Sequence, residues 1–173
     1  MRTKYLHTAA DPELFKQKLL VWSQQFKEVI CLDSNNYQQN YSSFEAVIAV
    51  DAVNSIQTDY NKAFNTLKHY QSNCKDWIFG YLTYDLKNDV EPLKSQNFDG
   101  LQFPDLCFFQ PKKLFLLKDN ILTIKYLNFV SDEIDTDLKI LRAHASDVKF
   151  LEVFKQGVDD YLEGNWTSGR IKL

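Results

Sequence analysis

Apolar residues near the start of the chain recur at helical spacing and identify one amphipathic helix. Asp11-Pro12-Glu13 is a typical helix start, because Asp can cap free backbone N–H groups, Pro fits the first helical position and an acidic residue favours the first turn. The apolar stripe that follows consists of Phe15, Leu19, Trp22 and Phe26. The pattern predicts a core-facing helix over residues 12–26.

Short apolar runs further along the chain predict strands. The runs are Val29–Leu32, Phe44–Val50, Trp77–Tyr84, Leu114–Leu117 and Ile121–Leu127. We expect the first three to be buried. The last two flank Asp119-Asn120, whose residues tolerate positive φ, and this pairing predicts a β-hairpin. In the second strand of this hairpin apolar and polar residues alternate, which predicts one buried face and one solvent-exposed face.

Three further helices are expected, and together with the strands they predict the fold class. Thr58-Asp59 can cap a helix that carries Tyr60, Phe64, Leu67 and Tyr70 on one face. Residues 131–145 and 147–162 predict two more helices. Because helices and strands are mixed without a regular βαβ rhythm, the sequence predicts an α+β fold with a mainly antiparallel sheet.

Composition narrows the class of protein. The 173 residues fit one domain, assigned to residues 1–162, and 45% hydrophobic content is enough for a core. The net charge of -3, without a basic run, gives no reason to expect nucleic acid. No stretch approaches the ~18 apolar residues of a membrane span, so no membrane partner is expected and a cytoplasmic location is predicted.

The usual chemical motifs are missing from the sequence. Cys31, Cys74 and Cys107 form no CxxC pair and are interpreted as buried small hydrophobic residues. The three histidines have no metal-ligand spacing and are interpreted as structural: His7, His69 and His144. No phosphate-binding loop or nucleophile motif occurs. No catalytic residue and no resident cofactor or metal is therefore predicted for this segment.

An acidic cluster and a glycine are the notable features of the stretch Trp77–Leu93. Asp85, Asp89 and Glu91 could hold Mg²⁺, but a solvated strand end is the favoured interpretation. Gly80 lies within a predicted strand, where a missing side chain weakens packing unless another group approaches the backbone closely.

Polar residues at the ends of two predicted strands indicate a small binding pocket. Its candidate residues are Asp33, Ser34, Tyr41, Ser42, Ser43 and Phe44. A carboxylate, hydroxyls and aromatic rings around one crevice suit an amino acid, with the carboxylate binding its ammonium group. A polar turn beside core aromatics is the alternative interpretation.

These segments resemble the N-terminal domain of the chorismate-utilising enzymes, aminodeoxychorismate synthase component I (para-aminobenzoate synthase component I) and anthranilate synthase component I. Leu32-Asp33-Ser34 matches the family's leucine–acid–serine element, and Tyr41-Ser42-Ser43-Phe44 is similar to its serine–arginine–phenylalanine element. Gly80-Tyr81-Leu82-Thr83-Tyr84-Asp85-Leu86 matches a third element. Glu91, Asp99 and Pro104 match single downstream positions of the family.

The resemblance implies a tryptophan-like pocket lined by the first two elements. Two residues depart from the family pattern there. Ser43 stands at the usual basic position, so a guanidinium partner is missing, and Asp33 replaces the commoner glutamate. Both changes weigh against tryptophan as a ligand.

The resemblance also implies the reaction and the partners of a parent polypeptide. Lys87-Asn88 favours the aminodeoxychorismate branch, in folate biosynthesis, over the anthranilate branch. The parent would convert chorismate and ammonia to 4-amino-4-deoxychorismate with Mg²⁺, supplied with ammonia by a glutamine amidotransferase subunit. The Mg²⁺ and chorismate residues would belong to a C-terminal chorismate-binding domain, for which residues 163–173 would be the linker or leading strand.

The segment itself is thus expected to be a fragment, inactive alone and prone to self-association through surface that its C-terminal domain would cover. Two alternatives from other classes stay open. One is a stand-alone amino-acid-binding module, and the other is a docking domain for the glutaminase.

Overall fold

A computed structural model shows that the chain forms an α+β fold built on one antiparallel sheet. It describes residues 1–35, 37, 41, 43–91, 93 and 100–143. The strands are β1 (Arg2–Thr8), β2 (Val29–Asp33), β3 (Ala46–Thr58), β4 (Phe79–Leu82), β5 (Leu106–Lys118) and β6 (Ile121–Leu127). The helices are α1 (Pro12–Ser23), α2 (Ala63–Cys74), α3 (Lys87–Val90) and α4 (Ile134–Ala143), with 3-10 turns at Tyr84–Leu86 and Asn128–Glu133.

Two long central strands organise the sheet. The strand order is β1-β6-β5-β3-β2, and β4 pairs with the part of β5 that β6 does not reach. β3 and β5 run side by side from Ala46↔Leu117 to Thr58↔Leu106, interrupted by a bulge between Ala52 and Asn54. An extra residue on one strand bends and twists the pair. Asp51, with φ of 62°, lies next to this bulge.

One face of the sheet forms the main core beneath α1 and α4. The alternating residues Ile48 and Val50 of β3 and Phe115 and Leu117 of β5 face this side. They pack against the apolar stripe of α1 and the inner side of α4, and the main members of this core are Phe15, Leu19, Trp22, Leu122, Ile124, Tyr126, Ile134, Leu138 and Leu141. This arrangement fixes both helices on one side of the sheet.

Among the described residues, two smaller apolar clusters lie elsewhere on the sheet. Val47, Ala49, Leu114 and Leu116 point away from the main core and cluster with aromatic residues that include Phe79 and Phe109. At the far ends of β3 and β5, a third cluster joins α2 to the 3-10 turn after β4, through Ala63, Leu86 and Leu106.

The predicted α+β class with an antiparallel sheet is confirmed, and so are two local elements. Asp11 caps α1, accepting a hydrogen bond from the Leu14 backbone N–H at 3.0 Å, although the helix ends at Ser23 rather than at residue 26. The β5–β6 hairpin turns at Asp119, whose φ is 53°. Within the described residues, no helix is long and apolar enough to cross a membrane.

Several sequence predictions were wrong in extent or burial. β2 is a half-exposed edge strand, with Leu32 at 55% exposure. The strand predicted over Trp77–Tyr84 is only four residues long, and Phe79 is its one buried residue. The cysteines are not buried: Cys31 is exposed, and Cys74 and Cys107 are half-buried.

The predicted cap of α2 was also wrong. The helix begins at Ala63, after Lys62 in a left-handed conformation, and not at Thr58-Asp59. Asp59 instead accepts a hydrogen bond from the Asn61 backbone N–H in a local turn. Of the helix predicted over 131–145, residues 131–133 belong to a 3-10 turn and residues 134–143 form α4. The helix predicted over 147–162, the tail 163–173 and His144 lie outside the described residues.

Candidate functional site

The first predicted pocket residues lie where β2 ends beside the start of β3. Asp33 pairs with Ala46 across the two strands, and the Ser34 backbone N–H donates to the Glu45 carbonyl at 2.8 Å. Antiparallel pairing therefore brings the leucine–acid–serine element close to the segment that precedes β3, as the sequence predicted.

The Asp33 carboxylate is already engaged by protein groups. One of its oxygens accepts from the Lys16 ammonium of α1 at 3.0 Å, and the other accepts from the Asn35 backbone N–H at 2.8 Å. Lys16 also pairs with Glu13 at 2.8 Å. Burial disfavours the Lys16 ammonium, but its hydrogen bonds to Glu13 and Asp33 outweigh this cost and raise its pKa. Asp33 thus ties β2 to α1.

The remaining pocket candidates do not all line one enclosed space. Tyr41 is 96% exposed. Phe44 is half-buried and faces the Trp77 ring edge-on at a centroid distance of 6.3 Å. Ser43 is exposed, and Ser42 lies outside the described residues. The structure therefore places Asp33 and Ser34 beside Glu45 and the start of β3, and it gives Phe44 a packing role. Tyr41 is too exposed to line a closed pocket.

Gly80 lies at the closest backbone approach of the third element. A Cβ atom built at this position would lie 1.9 Å from the Cys107 carbonyl oxygen and 2.6 Å from the Phe108 Cα. Gly80 is paired with Phe108 across β4 and β5, so both obstacles belong to the partner strand. The reasoning that only a missing side chain allows close approach here is confirmed.

The other residues of the third element divide between surface and core. Tyr84 is 83% exposed, with the Lys87 ammonium 4.3 Å from its ring centroid. Asp85 pairs with the same lysine at 2.9 Å, and Tyr81 is 40% exposed. Leu86 is buried in the cluster below α2. Gly80 and Leu86 therefore pack this element against β5 and the cluster below α2, whereas its polar residues are at least partly exposed to solvent.

The acidic cluster after this element has a structural role. Asp89 accepts hydrogen bonds from the backbone N–H groups of Lys62 and Phe64, at 2.8 and 3.1 Å. It satisfies donors that the start of α2 leaves free, and its negative charge suits the helix N-terminus. In the described part of the chain, no group of three or more potential metal ligands is clustered for binding an ion. Of the downstream matches, Glu91 and Pro104 lie in loops, and Asp99 lies outside the described residues.

A buried charged cluster beneath α4 was missed by the sequence reasoning. The Lys113 ammonium lies 2.6 Å from carboxylate oxygens of both Asp137 and Glu133, and the Tyr126 hydroxyl donates to Asp137 at 2.8 Å. Lys113 is only 3% exposed. Its ammonium also lies 5.5 Å from the Trp22 ring centroid.

The electrostatics of this cluster follow from burial and pairing. Burial disfavours the Lys113 ammonium, but hydrogen bonds to Asp137 and Glu133 outweigh this and raise its pKa. Burial, together with the neighbouring Asp137 charge, raises the pKa of Tyr126 far above its usual range. The only sequence signal was a lysine at an inward-facing position of β5, two residues before Phe115.

No model of a known protein family matches this chain, and no curated protein matches it either.

Proposed function

We propose that the chain is the N-terminal, non-catalytic domain of a chorismate-utilising enzyme of the aminodeoxychorismate synthase component I type. The observation that carries the proposal is the third sequence element. Its matched glycine, Gly80, is the residue whose substitution would bring a side chain into the backbone of β5. Its final leucine, Leu86, is buried. Two residues of the resemblance, Gly80 and Leu86, are thus ones on which the packing of this fold depends.

In this proposal the parent enzyme converts chorismate and ammonia to 4-amino-4-deoxychorismate in the cytoplasm. The chorismate and Mg²⁺ sites belong to a C-terminal domain, and a glutamine amidotransferase subunit provides the ammonia. The domain described here contributes structure and contacts to that assembly rather than reacting groups.

Tryptophan is not expected to bind at the Asp33 site. The carboxylate that would bind its ammonium already pairs with Lys16, and Ser43 provides no guanidinium for its carboxylate. Calorimetric titration with L-tryptophan should give no binding heat up to millimolar concentration. Binding in the micromolar range would favour the anthranilate synthase branch or a stand-alone amino-acid-binding module.

The decisive experiment is to capture the protein from its native cells with an antibody raised against this chain. We expect a polypeptide at least roughly twice the 20.3 kDa of this segment, which forms 4-amino-4-deoxychorismate from chorismate, ammonia and Mg²⁺. The purified 173-residue chain should form no product under the same conditions. Anthranilate as the product would assign the other branch. A captured protein of 20.3 kDa without chorismate turnover would overturn the proposal.

Surface composition near β4 supports a partner for this region. Tyr81, Leu82 and Tyr84 are exposed by 40, 48 and 83%, respectively. Tyr81 and Leu82 belong to β4 and Tyr84 to the 3-10 turn after it, and apolar side chains exposed close together favour association. We expect the isolated chain to self-associate, and light scattering that shows a monomer at high concentration would contradict this.

A further inference from the structure

A cavity of about 280 Å³ lies away from the Asp33 region, between the end of β1, the start of α1 and the end of α4. Its volume is near the lower end of the roughly 300–1,000 Å³ typical of ligand pockets. The floor is apolar and continuous with the main core, since Ala9, Phe15 and Leu141 belong to both. A small, largely apolar molecule would therefore fit its dimensions.

The wall of this cavity carries an excess of positive charge. Lys18 and Arg142 both line it, and within the described residues neither forms an ion pair or hydrogen bond. Among the described lining residues Asp11 is the one acid, and it caps α1 by accepting from the Leu14 backbone N–H. Asp11 balances one of the two cations, so the described lining residues carry one net positive charge.

His7 adds a third nitrogen group to the same wall. Its ring packs against Phe15 at a centroid distance of 5.4 Å. Burial and the neighbouring Arg142 charge lower the pKa of His7, so its imidazole is neutral at pH 7 and can donate one hydrogen bond. Asp11, Lys18 and Arg142 are the charged groups that line the cavity with it.

We propose that this cavity binds a small monocarboxylate with an apolar body, its ring or chain against Phe15 and Leu141 and its carboxylate toward Lys18 and Arg142. A guanidinium can bind a carboxylate with two parallel hydrogen bonds. The apolar floor favours a ligand whose remaining surface is mostly apolar. This inference does not depend on the proposed function, because none of its residues belongs to the elements that carry the family resemblance.

Benzoate is the probe, and benzamide and benzylammonium are its matched neutral and cationic analogues. Calorimetry or ligand-observed NMR with the full chain should detect benzoate binding, with benzamide at least about tenfold weaker and benzylammonium not binding. Equal affinity for benzoate and benzamide would show that the cavity binds only the apolar ring and that Lys18 and Arg142 do not recognise the carboxylate. This result would overturn the assignment. No benzoate binding at millimolar concentration would overturn it outright.

The double variant Lys18→Gln/Arg142→Gln should weaken benzoate binding by about tenfold or more, as expected for loss of charge-assisted hydrogen bonds. Its control, Lys27→Gln/Lys68→Gln, removes the same charge from exposed positions outside the cavity lining and should bind as the wild type does. Equal loss in both double variants would indicate nonspecific attraction and contradict the site.

A measurement on the wild-type protein avoids any folding defect in the variants. Bound carboxylate would offset the positive charge of Arg142, so benzoate should raise the pKa of His7 in an NMR titration. A His7 titration unchanged by saturating benzoate would place the ligand elsewhere.

Discussion

At the scale of single residues, Gly80 is tightly constrained. A methyl group there meets the Cys107 carbonyl oxygen and the Phe108 Cα, which are backbone atoms and cannot move aside as a flexible side chain would. Gly80→Ala should therefore force β4 away from β5 and lower the free energy of unfolding by about 3 kcal/mol. Urea denaturation would measure the loss.

Leu82→Ala is the matched control for this substitution. It changes a residue on the same short strand whose side chain is 48% exposed, so it should cost well under about 1 kcal/mol. If Gly80→Ala were as mild as this control, the close packing of β4 on β5 would be wrong.

Two neighbouring lysines allow a second residue-scale test, of the buried charge beneath α4. Lys113 has a side-chain exposure of 4%, and Lys112, which pairs with Asp51 at 3.0 Å, has 29%. Removing one partner of a buried pair leaves an uncompensated charge. Lys113→Met should therefore cost about 3–5 kcal/mol, whereas Lys112→Met should cost less than about 1 kcal/mol.

The reason for this difference can be checked with a second substitution at the same cluster. If the cost of Lys113→Met comes from stranding the Asp137 carboxylate, then Lys113→Met/Asp137→Leu should recover much of the stability. Urea denaturation of the four proteins, including the wild type, would decide. A double variant less stable than Lys113→Met would show that Asp137 still stabilises the fold without Lys113, through the hydrogen bond from Tyr126, and would contradict the stranded-charge explanation.

At the scale of secondary-structure elements, α2 depends on a cap from a different part of the chain. Asp89 of α3 accepts hydrogen bonds from the Lys62 and Phe64 backbone N–H groups. Asp89→Ala should destabilise the protein by about 1 kcal/mol and speed hydrogen exchange at the start of α2. Asp59→Ala removes the residue that the sequence predicts as the cap, and it should leave hydrogen exchange in α2 unchanged. The reverse result would restore the predicted cap.

This error shows what local sequence can and cannot predict about an element. α1 was predicted well because its cap, first-turn proline and apolar stripe all lie within one segment. The cap of α2 comes from a residue 27 positions later, and no local pattern indicates such a partner. The β5–β6 hairpin was predicted correctly for the same reason, because its turn and both strands lie within one continuous segment.

The lengths of the central strands were missed for a related reason. The sequence predicts that β3 ends at Val50, where the apolar run stops. In the structure β3 continues to pair with β5 through the bulge as far as Thr58. β1 was not predicted, because an edge strand such as Arg2–Thr8 needs few apolar residues. Of the candidate site, the proximity of Asp33 to the β3 start was predictable from strand ends, whereas its ion pair with Lys16 depends on how α1 packs on the sheet.

At the scale of the whole molecule, Arg2 connects three parts of the sheet. β6 leaves β5 at Lys113, and β4 joins β5 at Phe109, so backbone carbonyls in between lack a strand partner on that edge. The Arg2 guanidinium donates to the Pro111 carbonyl at 2.6 Å and to the Lys112 carbonyl at 3.3 Å. It also pairs with Asp76, just before β4, at 2.9 Å.

Stability at acidic pH should report on this junction. Burial disfavours the Asp76 carboxylate, but hydrogen bonds from Arg2, from Gln110 and from the Trp77 backbone outweigh it and lower its pKa below the ordinary 3.8. A lowered carboxyl pKa stabilises the fold fully above the unfolded-state value and loses that contribution as pH falls through the folded-state value. The free energy of unfolding should therefore fall as pH drops below about 4.

Asp76→Asn should reduce that decline, because the amide cannot take up the proton, and it should lower stability at pH 7, because Arg2 is left buried without a counter-charge. Urea denaturation from pH 7 to pH 2.5 would measure both effects. Asp132→Asn removes an exposed carboxylate and controls for the change in net charge. Parallel pH profiles for the wild type and Asp76→Asn would show that the junction does not contribute to acid sensitivity, and the Arg2–Asp76 pair would then be a surface contact rather than the tie between β1, β4 and β5.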